Sequence, residues 1–177
     1  MGSYNRQKAV YYACRYALMY NSNWFDDRGS AGGGGDCTNF ISQCLYAGGW
    51  EMVSGAMGMS WWADVGTKDR SRRSPSWGGA GAFQTFLWGG LRAKECEQNE
   101  VQLGDLIQEV RNDTAMHTMI ITGLFKTAQG SKILYSCHTA DRLSRPFDLA
   151  KPVDSESKFI FWKMRDEYAI VGEPYDS

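Results

Sequence analysis

The chain has 177 residues and 19.9 kDa, of which 43% are hydrophobic and 14% aromatic, enough apolar material for one packed domain. Nineteen Lys and Arg against 20 Asp and Glu leave a net charge of −1, so no overall basic field exists to hold a phosphate backbone or an anionic membrane. The longest apolar stretches are short or broken by charge, well under the roughly 18 residues of a spanning helix, and predict a soluble protein.

The N-terminus carries Arg6, Lys8 and Arg15 inside an amphipathic pattern, without the charged lead, clean apolar core and cleavage site of a Sec leader. That predicts either a cytoplasmic protein or one exported by a specialised secretion system to act in the periplasm or cell wall. Ala9, Tyr12, Ala13, Tyr16, Ala17 and Tyr20 recur at spacings of three and four, which predicts an amphipathic helix over 4–20. A polar loop over 21–36 ends in four consecutive glycines and Asp36. From Cys37 the apolar positions Phe40, Ile41, Cys44 and Leu45 share one helical face, closed by Gly48-Gly49, so a second helix opens at Asp36 or Cys37.

Residues 50–92 are rich in Trp and Gly and contain a basic cluster from Lys68 to Arg73. Aromatics beside arginine can line a polymer-binding groove, but core tryptophans beneath a solvated basic loop are the plainer reading. Residues 80–88 predict a short helix. The stretches 103–110, 117–125, 132–138 and 158–164 are short, apolar or β-branched and separated by turn-prone residues, which predicts antiparallel strands. Helices first and strands after define an α+β fold, its N-terminal helices packed on an antiparallel sheet. We read 1–177 as a single domain, with 50–100 a Trp/Gly-rich insert of unassigned role.

The five cysteines, at 14, 37, 44, 96 and 137, are odd in number and form no CxxC pair, so reduced thiols fit better than a disulfide framework. Cys37 stands apart by position. It opens a helix, where the positive end of the dipole favours a thiolate, and it follows glycines that bring backbone N–H groups close to a developing oxyanion. A phosphate loop would need a following Gly-Lys-Ser/Thr, which is missing. A cysteine hydrolase needs an imidazole to carry the proton, and the chain has only His117 and His138, both on predicted strands. His117 starts its strand and can reach a helix N-terminus; His138 ends its strand and suits the orienting third place, with Asp141 competing for it. A zinc site from Cys37, Cys44, His117 and His138 matches no common ligand spacing. Asp36 reads as a helix N-cap before it reads as a catalytic group. Asn39 and Gln43 either line the cleft or bind backbone, and Ser42 reads as structural.

These residues carry a resemblance. GDCTNFISQCLYAGG (35–49), LGDLIQ (103–108), MHTMIITG (116–123) and YSCHTADR (135–142) resemble, in order, the blocks of the putative amidase domain family, papain-like cysteine hydrolases related to the NlpC/P60 and CHAP groups. The resemblance implies a papain-like (NlpC/P60-type) fold, a nucleophile at Cys37, a base at His117 and a third polar residue at His138. It implies a cysteine amidase or endopeptidase that hydrolyses amide bonds in peptidoglycan stem peptides. Donors to the oxyanion would be the Cys37 N–H and a side chain of the preceding segment such as Tyr20 or Trp24, with Asp36 a further substrate or oxyanion candidate. No metal or cofactor is required. Size and the missing leader suggest an antibacterial effector toxin with a cognate immunity protein. The alternatives are another papain-like thiol enzyme, acting as an acyltransferase or a deamidase of a protein partner, and a catalytically silent wall-binding module.

Overall fold

The computed structural model describes residues 1–28, 35–56, 58–66, 69–89, 91–128 and 130–168; Gly32, Gly33 and Gly34 of the glycine run and Lys68 of the basic cluster lie outside them. The chain opens with β1 (Gly2–Ser3) and α1 (Arg6–Tyr16), the latter started by Asn5, whose side chain accepts from Lys8 N at 3.0 Å. α1 ends four residues before the 4–20 pattern does. The carbonyl of Tyr16, which a continuing helix would give to residue 20, accepts from Met19 N at 3.2 Å in a closing turn and from the His138 ring at 2.8 Å.

α2 (Cys37–Ala47) begins and ends as its apolar stripe predicts, and nine of its residues, Cys37 to Leu45, are buried. A helix so enclosed has neighbours all round. They are α1, α3 (Pro75–Gly78), α4 (Ala80–Trp88) and a six-stranded sheet. The sheet is antiparallel throughout and runs β2 (Ala93–Cys96), β7 (Ser157–Met164), β3 (Leu106–Arg111), β4 (Thr114–Thr127), β5 (Gly130–Cys137), β6 (Arg142–Pro146) from edge to edge. β8 (Glu167–Tyr168) leaves this sheet and pairs with β1.

The four expected strands correspond to β3, β4, β5 and β7, while β2 and β6 are additions at the two edges. Their sequences, AKEC and RLSRP, lack the apolar alternation that marks a strand, because an edge strand needs little of it. The inner strands read as nearly continuous apolar runs because both faces of the sheet are covered. Leu106, Ile120 and Trp162 pack under the helices with Phe40, Ile41 and Leu45. Ile107, Met119, Ile121, Ile133 and Phe161 form a second core on the other face, closed by Phe147 and Phe159.

The Trp-rich middle is largely interior. Trp50, Trp61 and Trp77 are buried, Trp61 Nε1 donates to Ser42 Oγ at 3.0 Å, and that hydroxyl donates to the Trp77 carbonyl at 2.8 Å. Ser42 is therefore a structural linker between α2 and this segment. Trp88 alone among these rings is half exposed. The arginines of the basic cluster are spent on ion pairs: Arg70 and Arg73 with the buried Asp27, Arg72 with Asp64. No helix among the described residues is long and apolar enough to cross a membrane.

Candidate active site

Cys37 is the first residue of α2, with Asp36 at the cap position. Its thiol is 5% exposed, lies 3.7 Å from Thr38 Oγ1 and takes a hydrogen bond from the Thr118 backbone on β4. Thr38 and Thr118 are themselves joined, Oγ1 to Oγ1, at 3.2 Å. The sulfur thus sits where the start of α2 meets the sheet. Its surroundings differ from the expectation of a stabilised thiolate: burial pushes the Cys37 thiol up, and the hydrogen bonds from Thr118 and Thr38 only partly oppose this. At neutral pH the resting group is the thiol, so attack needs a base to take its proton.

His117 precedes Thr118 on β4. Side chains alternate across a strand, so Thr118 faces α2 while His117 turns with Met119 toward the second core. There it lines a recess of about 190 Å³ with Glu109, Tyr135 and Cys137. Glu109 stands directly opposite His117 in the β3–β4 ladder, next to a register shift that leaves Met116 as an extra residue. Among the described residues His117 forms no hydrogen bond to Cys37, His138 or Asp141. Backbone adjacency at Thr118 is what links His117 to the thiol.

His138 lies on the helix side and is 1% exposed. Its Nδ1 is 2.5 Å from Asp36 Oδ2 and its Nε2 is 2.8 Å from the Tyr16 carbonyl. The ring packs between Phe40, at 4.0 Å between centroids, and Tyr20, at 4.2 Å. Both nitrogens face oxygen atoms, so the ring is held at two points. Asp36 accepts in addition from Asp27 N at 3.0 Å and from Asn39 Nδ2 at 2.8 Å. The plain N-cap reading of Asp36 is corrected by this: its carboxylate makes no cap hydrogen bond to the first turn of α2 and instead ties that turn to the end of β5. Both of its oxygens are taken up by these partners, which leaves none to meet an oxyanion.

Tyr20 stacks under the Arg28 guanidinium at 3.5 Å and approaches Asp141 Oδ1 at 3.4 Å, and burial with the nearby Asp36 and Asp141 raises its pKa. Trp24 is committed to the core, stacked on Trp77 at 5.1 Å. Asn39 spans Phe25 O, Asp36 and Trp77 Nε1, and Gln43 accepts from Tyr12 at 2.8 Å; both are buried and hold the frame. Gly35, the last of the glycine run, is fixed by crowding: a Cβ there would stand 2.1 Å from Thr139 Oγ1. GD of the first block and HT of the last are therefore in contact. The LGD block is structural as well, since buried Asp105 accepts from Arg6, Met164 N and Gln102 N, and Gly104 takes a φ of +79°. Among the described residues no group of three or more His, Cys, Asp or Glu side chains could hold a metal ion.

A cysteine that opens a helix, one histidine on β4, another just past the end of β5 and a mixed α+β frame are the setting in which the family comparison falls. The profile of the "Putative amidase domain" family matches residues 3–162, and the chain belongs to that family, an amidase-type domain by name. Among curated proteins it is similar to "Uncharacterized protein YjcM" of Bacillus subtilis (strain 168), at 26% identity over 172 residues, which cover 89% of this chain and 36% of that protein. The chain thus spans little more than a third of the length of the curated relative it matches. No solved structure matches it.

Proposed function

We propose that the chain is a papain-like cysteine amidase that hydrolyses amide bonds in bacterial peptidoglycan stem peptides. The observation that carries this reading is the position of Cys37, which opens α2 against the Thr118 amide of β4, one residue from His117. In the proposed cycle His117 removes the thiol proton, the Cys37 sulfur attacks the amide carbonyl, and the C–N bond breaks as His117 returns the proton to the leaving amine. Water, deprotonated by the same ring, then releases the acid and regenerates the thiol. The Cys37 backbone N–H, at the first turn of a helix and without a hydrogen-bond partner among the described residues, is the natural donor to the oxyanion.

For the cycle to run, His117 must move from the recess round the edge of β4, which is paired with β5 only from Ile120 onward, and substrate filling the recess would favour that move. His138 acts in this scheme as a positioning residue: with Asp36 it fixes the backbone entering Cys37. Asp141 holds Tyr20 beside it. Export to a periplasm or cell wall as an antibacterial effector, with an immunity protein as partner, belongs to the same proposal.

The test is to incubate the protein and its Cys37→Ala variant with defined muropeptides and identify products by mass spectrometry. New amine and carboxyl termini with the native protein and none with the variant are expected, and they name the bond. Intact muropeptides in both reactions, with the native fold of the sample verified by circular dichroism, would sink the wall substrate and turn the search to protein amides.

A further inference from the structure

The recess beside His117 is lined on its far side by Arg142, Arg145 and Lys151. Six other arginines, Arg6, Arg28, Arg70, Arg72, Arg73 and Arg111, form ion pairs with carboxylates. Arg142 and Arg145 form none among the described residues, and Arg145 Nε is buried with no hydrogen-bond partner. Two buried or half-buried guanidinium groups without a counter-charge are costly to keep unless a ligand supplies it.

The backbone has been bent to bring them together. In a regular strand, residues three apart point to opposite faces. In β6 the register shifts, so that Arg145 pairs with Tyr135 and Arg142 with Cys137, two positions that share the recess face. The shift turns on Ser144, whose φ of +47° is a left-handed conformation that a serine adopts at a cost. That turn is held by Ser136 Oγ, which accepts from Ser144 N at 3.0 Å, and by Thr122 Oγ1, 3.3 Å from Ser144 Oγ. A strained bulge braced from beneath, whose effect is to aim two arginines into one recess, is the kind of device that serves a site.

We propose that this recess is a carboxylate-binding subsite, in which Arg142 and Arg145 grip a free carboxylate of the substrate beside His117. Guanidinium groups match a carboxylate with paired N–H donors, and the Tyr135 hydroxyl on the floor adds another. Glu109 on the opposite rim is already engaged, accepting from Val153 N at 2.5 Å, and its charge disfavours a second negative charge in the ligand, which selects a carboxylate over a phosphate dianion. The inference rests on the amidase reading above and sharpens it: the substrate is an acidic peptide, its carboxylate held beside the base His117.

The experiment compares a disaccharide-tripeptide muropeptide with the same molecule after its free carboxylates are converted to carboxamides. The native protein is expected to lose about 10- to 100-fold in kcat/KM on the carboxamide form, the worth of one charge-assisted pair. Arg142→Gln and Arg145→Gln, checked for native circular dichroism, are expected to lose a similar factor on the acid form and nothing on the carboxamide form. Arg145→Lys, which keeps charge without the fork, should fall between. Equal cleavage of both forms by the native protein overturns the subsite and leaves the amidase standing. Absence of cleavage of either form overturns both.

Discussion

Asp36→Ala is the substitution on which the description of the site stands or falls. The Asp36 carboxylate is fully buried and the His138 side chain 2% exposed, with 2.5 Å between them. Removing the carboxylate leaves the buried His138 Nδ1 without its partner and takes an acceptor from Asp27 N and Asn39 Nδ2. Breaking a buried pair from one side costs about 3–5 kcal/mol. For a domain of this size each kcal/mol moves Tm by about 2–4 °C, so a fall of roughly 6–20 °C is expected. Calorimetry or thermal circular dichroism reads this directly. The cycle with His138→Ala and the double variant should return a coupling well above 1 kcal/mol, since the second removal takes away a group already orphaned. A fall in Tm below about 3 °C, or additive single effects, would refute the pairing and free His138 for the role of orienting His117.

Cys37 alkylation by iodoacetamide should be slow at pH 7 and climb through the alkaline range beyond where an ordinary thiol levels off, because burial raises its pKa; a plateau reached below pH 7 would contradict this. Arg6→Ala should cost about 3 kcal/mol at pH 7 by leaving the buried Asp105 without its cation. Burial already raises the Asp105 pKa and loss of Arg6 raises it further, so the stability deficit should shrink as pH falls from 7 toward 4, the folded variant taking up the proton before the folded native chain does while the unfolded term cancels between them. Urea titrations at the two pH values measure it, and a constant deficit would argue against the charge as its source. Gly35→Ala should displace Thr139, which a Cβ would strike at 2.1 Å, and lower both stability and any Cys37-dependent activity; an unaffected variant would mean the loop has slack.

Much of the frame could be read from the sequence because it rests on local pattern. The α2 stripe, the short helix over 80–88 and the four inner strands each carry their own period, and the positions of the tryptophans follow from their size and polarity. What could not be read depends on partners distant in the chain. Asp36 has every local feature of a helix cap, yet its carboxylate is claimed by a histidine 102 residues away. α1 stops early for the same reason: the ring of His138 takes the Tyr16 carbonyl. Which face His117 points to depends on a register shift in β4, and no single-strand pattern reports such a shift. The recess and its arginines were invisible because β6 does not look like a strand at all.

The pairing of β1 with β8 brings Gly2 opposite Tyr168 and Ser3 opposite Glu167. Closing a loop that long pays nearly all its entropy before any contact of the pair forms, so this small sheet can only come together after the rest of the chain has condensed. Folding should therefore finish with β1 and β8. Their amides ought to exchange first in native-state hydrogen exchange, since the last part to join is the first to let go. The Tyr168 hydroxyl, which accepts from Glu51 N at 2.9 Å and donates to the Gly49 carbonyl at 3.2 Å, also clamps the loop that follows α2. Fraying at the far end of the chain would thus loosen the C-terminal end of the helix whose first residue is Cys37.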